Sequence, residues 1–153
     1  MGVGALKYFD LSQNPQTDIA FDWDRALSMD GNTAPYLMYA HARCRSILRK
    51  AAEQGKAPGP LFLTDPAERA LALAIARTPD AILAAMTNLR PNLLCEHLFG
   101  LAGSLSRFWE SCRVLDATVP AEVSASRIAL TRATAEALAA GLGILGVDAP
   151  EQL

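Results

Sequence analysis

The chain has 153 residues, 51% hydrophobic and 20% charged, with a net charge of −2. That length suits one domain of ordinary size, and that composition excludes an intrinsically disordered chain. The slightly acidic balance excludes generic polyanion binding through overall charge, so any nucleic-acid contact must come from a local patch.

The pattern is helical almost throughout: Ala and Leu dominate, and no segment alternates with period two for long enough to make a strand. Residues 4–12 predict a short amphipathic helix, ending in the polar stretch 12–18. Residues 22–29 predict a second, with Asp22 and Asp24 as charges at its N-terminal end, and Asp30-Gly31-Asn32 reads as a turn. A long helix follows over 33–54. Asn32 or Thr33 caps it, Pro35 sits in its first turn, and Leu37, Ala40, Cys44, Ile47, Leu48 and Ala51 recur at helical spacing. Gly55 stops it, and 55–60 (GKAPGP) is a loop. Asp65, Pro66 and Glu68 form a cap, a first helical proline and a capping box ahead of an apolar run at 71–76. Thr78-Pro79-Asp80 restarts or kinks that helix. Pro91 opens the next, to about 112, with Leu94, Leu98, Leu101, Leu105 and Phe108 on one face. Pro120 opens the last, to about Leu145, with Gly146 as its stop. Four or five substantial helices joined by short loops predict an all-α bundle.

The search for reactive chemistry returns little. Three cysteines, at 44, 95 and 112, make no disulfide framework, and a reduced, cytoplasmic setting is expected. No stretch of about 18 uncharged apolar residues occurs, so no membrane partner is expected. Cys95 and His97 are too close and too isolated for a zinc site. Gly141, Gly143 and Gly146 lack the strand, Lys and Ser/Thr of a phosphate cradle, and read as close helix packing plus a cap. Neither His41 nor His97 sits in a nucleophile–base motif.

One helix face is more informative. His41, Arg45 and Arg49 recur at i, i+4 and i+8, beside Arg43 and Lys50, with Tyr36 and Tyr39 just upstream. Arginines can meet phosphates while aromatic rings stack on unpaired bases. The bland reading is a solvated basic face over a Tyr-containing core. Phe108-Trp109 ahead of Arg113 supplies a second aromatic group, and Trp109 must point away from Phe108.

Several blocks resemble the end of arginyl-tRNA synthetases: GALKYFDLSQN (4–14), FDWDRALSMDGNTAPYLMYAHARCRSILRK (21–50), LFGLAGSLSRFWESCRVL (98–115) and SRIALTRATAEALAAGLGILGVDAPEQL (126–153). The resemblance covers essentially the whole chain in order and spacing. It implies the anticodon-binding helix bundle of a class I aminoacyl-tRNA synthetase over residues 31–153, with 1–30 a junction segment from the end of the catalytic domain. The HIGH and KMSKS-type motifs are absent from these residues, so no aminoacylation is expected of this chain alone. ATP and Mg²⁺ belong, by resemblance, to the parent enzyme, and the chain itself is expected to hold no cofactor.

The resemblance carries the anticodon contacts to Tyr36, Tyr39 and Trp109, and to Leu153 at the family's terminal position. The basic stripe adds His41, Arg45 and Arg49, and Arg113 stands where some members have another aromatic. The ending Glu-Gln-Leu departs from the family's Glu-Arg-Met, so Gln152 replaces a charge. The implied partners are tRNA-Arg and the catalytic domain, with self-association through Phe21 and Trp23 if the junction is uncovered. Two rival readings are an intact enzyme with another active site and a free-standing helical module for tRNA or protein binding. Upstream HIGH and KMSKS-type motifs would favour a synthetase fragment over both.

Overall fold

The computed structural model describes residues 2–152. Among them are seven helices and no strand: α1 (Gly2–Leu11), α2 (Trp23–Ala26), α3 (Ala34–Glu53), α4 (Pro66–Ala76), α5 (Thr78–Asn88), α6 (Pro91–Ser111) and α7 (Ala121–Ile144). The expected helix at 22–29 shrinks to a single turn. Asp22 caps it, with Oδ1 accepting from the backbone N–H groups of Asp24 and Arg25 at 2.9 and 3.2 Å. Thr33, rather than Asn32, caps α3: its Oγ1 accepts from the Tyr36 N–H at 3.3 Å.

α3 packs chiefly on α7, α4 and α5 pack on α6, and α1 lies against α3 and α6. The shared core includes Leu37, Leu71, Leu94, Leu98, Leu105, Phe108, Leu138 and Leu142, drawn from four of the helices. α1 belongs to that core as well. Tyr8 is fully buried, and its hydroxyl donates to Asn32 Oδ1 at 2.6 Å and lies 3.1 Å from the Cys95 carbonyl. Residues 14–25, by contrast, are exposed throughout. There Phe9, Phe21 and Trp23 stack edge to face, with centroids 4.9 and 4.8 Å apart.

Gly141 lets α7 approach α6 closely, since a Cβ there would lie 2.5 Å from Leu98 Cδ2. Gly146, at φ +70°, turns the chain out of α7 in the left-handed conformation that glycine adopts freely. All three cysteines are free and buried. Burial pushes the Cys44 and Cys95 thiols up to about 12, so neither forms a reactive thiolate at neutral pH.

A polar network ties α4 to α7. Glu68 closes the capping box with Asp65: its Oε2 accepts from the N–H groups of Thr64 and Asp65 at 2.7 and 2.9 Å. Its Oε1 accepts from Arg127 Nε at 2.6 Å, and Arg127 Nη1 donates to the Arg113 carbonyl at 2.7 Å. Burial alone would raise the Glu68 carboxyl. The Asp65 and Thr64 N–H groups and the Arg127 guanidinium outweigh it and hold the group below its ordinary value.

The stretch 66–88, taken as one, is long and apolar enough by length and composition to cross a membrane, which sequence reading did not expect. It carries Glu68, Arg69, Arg77 and Asp80, breaks into two helices at Arg77, and packs on α6. Its geometry is that of the outer layer of the bundle, with Leu73, Leu83 and Met86 exposed.

Candidate nucleic-acid interface

The cap at Thr33 sets the phase of α3, and that phase decides which side chains reach solvent. Two faces of the helix do different work. On the first, Tyr36 is half-buried against Phe99, with centroids 5.8 Å apart, and its hydroxyl lies 3.4 Å from Ser106 Oγ on α6. Tyr39, one turn on, is 46% exposed. Arg43 follows, and its guanidinium carbon sits 4.4 Å above the Trp109 ring, a cation–π contact that links α3 to α6. Trp109 is half-buried against the core, and its indole N–H has no partner among the described residues. An open groove of about 400 Å³ runs along this face, lined by Tyr39, Ala42, Arg43, Ser46, Arg49 and Gln152.

The second face holds the C-terminal tail. After Gly146, the tail returns to α3 and meets three successive turns of it. His41 Nδ1 lies 2.9 Å from the Pro150 carbonyl, Arg45 Nε donates to Glu151 Oε2 at 2.6 Å, and Arg49 donates to the Glu151 carbonyl at 3.1 Å. The Arg45 hydrogen bond holds the Glu151 carboxyl below the usual carboxylate range.

The stripe His41–Arg45–Arg49 is thus one face, as its spacing predicts, but not a free cationic one. His41 is buried at 3% exposure, which corrects its place on a solvent-facing stripe. Arg45 is engaged by the tail, and Arg49 serves both the tail and the groove. Arg113 is exposed but lies beyond the end of α6 at Ser111, so it does not continue the Trp109 face by one helical turn. Leu153 lies outside the described residues.

Four groove residues were not among the expected contacts: Ala42, Arg43, Ser46 and Gln152. For Arg43 and Ser46 the signal was the spacing Tyr36, Tyr39, Arg43, Ser46, which is as helical as the stripe that was read; Gln152 reaches the groove from the tail, which no helical spacing shows. The face offers a flat aromatic surface, a guanidinium stacked on Trp109, a second cation in Arg49 and a primary amide. That set suits an unpaired base beside its phosphate. Among the described residues, no three His, Cys, Asp or Glu side chains converge in a group that could hold a metal ion.

Residues 37–153 match the family model described as the DALR anticodon binding domain. The chain belongs to this family of helical anticodon-binding domains. Its relatives narrow the assignment. It is 47% identical over 154 residues to an arginine–tRNA ligase of Thermobifida fusca, and 45% identical over 156 residues to one of Chloroflexus aurantiacus. Both alignments cover the whole chain and 27% of the relative. The fold matches the arginyl-tRNA synthetase of Thermus thermophilus with a TM-score of 0.88 at 34% identity, covering 99% of this chain and 26% of that one. The Plasmodium falciparum arginyl-tRNA synthetase gives 0.83 at 30%. The chain therefore spans about a quarter of the length of these relatives.

Proposed function

We propose that this chain is the tRNA-reading portion of an arginine–tRNA ligase, gripping the anticodon arm of tRNA-Arg while a catalytic domain acts on the acceptor end. The observation that carries this is the α3–α6 face, where Tyr39, Arg43 and Trp109 lie together beside an open groove. Stacking rings and phosphate-directed arginines are the two kinds of contact that hold single-stranded bases. Residues 1–30 join the bundle to the catalytic domain, whose docking covers Phe21 and Trp23. Without that domain, the same apolar patch promotes self-association. ATP and Mg²⁺ are used by the catalytic portion, and this chain alone carries out no aminoacylation. The parent enzyme works in the cytoplasm.

The test is a binding titration of the chain with tRNA-Arg, and with the same tRNA carrying a changed anticodon, at two salt concentrations. Preference for the arginine anticodon supports the reading. Equal, salt-sensitive binding to both would reduce the contact to charge alone and defeat it. Tyr39→Ala should weaken binding roughly tenfold, since stacking contributes about 1–3 kcal/mol per base, while leaving the helices folded.

A further inference from the structure

One wall of the groove is not part of the helical scaffold. Gln152 belongs to the tail that follows Gly146, and exposed tails of this kind ordinarily fray. Here the two residues before it are anchored at three points, to His41, Arg45 and Arg49, spaced one turn apart on a single helix. These anchors hold the backbone of Pro150 and both the carboxylate and carbonyl of Glu151. Little freedom remains to decide where Gln152 stands.

The chemistry of Gln152 differs from that of its neighbours. Arg43 and Arg49 only donate and carry charge, so they suit phosphate, which positions a nucleic acid without reporting its sequence. The Gln152 amide has a carbonyl acceptor and two N–H donors, a set that can pair with two atoms of one base edge. We propose that Gln152 is a specificity-determining residue, reading the edge of the base held against Tyr39. His41, Arg45 and Arg49 are its positioning residues, acting through the tail. This rests on the anticodon reading above. It assigns Arg45 a task other than gripping phosphate, because its guanidinium is already engaged by Glu151.

The test measures dissociation constants of the 153-residue chain for tRNA-Arg and for that tRNA with one anticodon base changed. The proteins are wild type, Gln152→Ala, Arg45→Glu, and the charge-swapped pair Arg45→Glu with Glu151→Arg. Gln152→Ala should lose about tenfold of the preference between the two tRNAs, with affinity for the changed tRNA unaltered. Arg45→Glu should lose the same preference, and the swapped pair should regain it, all at unchanged helicity by circular dichroism. A phosphate-gripping Arg45 would not be rescued by the swap. Full preference in Gln152→Ala, or a swap that restores nothing, overturns the proposal. If the wild type does not distinguish the two tRNAs, the anticodon reading itself fails, and this proposal falls with it.

Discussion

The molecule contains two arginine–carboxylate pairs with the same geometry and opposite surroundings. Arg127 Nε to Glu68 Oε1 and Arg45 Nε to Glu151 Oε2 are both 2.6 Å. The side chains of the first pair are 12% and 0% exposed, and those of the second 37% and 61%. Glu68 also accepts two backbone N–H bonds, and Arg127 reaches the Arg113 carbonyl, so the inner pair joins three separate stretches of chain. The outer pair joins a tail to a single helix, and no other part of the core is tied to it. Distance is therefore no measure of strength here. Removing one inner partner leaves the other with little access to water, whereas water readily replaces a lost outer partner. The inner pair fixes the framework, and the outer one trims a surface.

The largest expected effect follows directly. Glu68→Ala should destabilise the fold by about 3–5 kcal/mol, because it leaves the largely buried Arg127 guanidinium without its carboxylate and opens the capping box at α4. Urea unfolding of the chain measures it. A loss under about 1 kcal/mol would mean that the buried pair behaves like a surface one, and the comparison would collapse.

Acid sharpens the same contrast. Both carboxyls are held below their ordinary values in the folded state. A depressed carboxyl contributes stability above its unfolded value, near 4.3, and loses it as pH falls through the lower folded value. Protonating Glu151 should release only the tail, and protonating Glu68 should undermine the bundle. Below about pH 4, tail amides should exchange faster while far-UV circular dichroism persists, with global unfolding following at lower pH. Coincident loss of both signals would tie the tail to the core.

How much of this was legible follows the same division. The capping box at Asp65 and Glu68 was readable because both partners lie within four residues and the motif has a fixed spacing. Arg127 was not, since it lies 59 residues away and only the α4–α7 packing brings it near. Likewise, the i, i+4, i+8 spacing located His41, Arg45 and Arg49 on one face. It carried no information that a tail some hundred residues later would cover them. Spacing gives the face of a helix, and the rest of the chain decides whether that face is free. Tyr36 and Tyr39 were readable as candidate contacts; Arg43 was visible only as a neighbour of the charged stripe, and Ser46, on the same face, carried no chemical signal of its own.

The smallest effect is the one closest to function. Arg45→Ala should leave the unfolding midpoint unchanged within error, because an exposed pair contributes little to global stability. It should nevertheless speed digestion of the tail by carboxypeptidase, as one of three anchors is lost while His41 and Arg49 remain. Salt should imitate the substitution. Raising salt from 0.1 M to 1 M shortens the screening length in solvent from about 10 Å to about 3 Å, comparable to the reach of the exposed pair, so the outer pair weakens while the buried one is screened much less. Faster digestion of the wild type at high salt, with an unchanged rate in Arg45→Ala, would show that this pair sets the tail's freedom. Equal acceleration in both proteins would move that role to the Pro150 and Glu151 backbone contacts, which salt screens less directly. The outer pair would then be a passenger on a tail already held by hydrogen bonds.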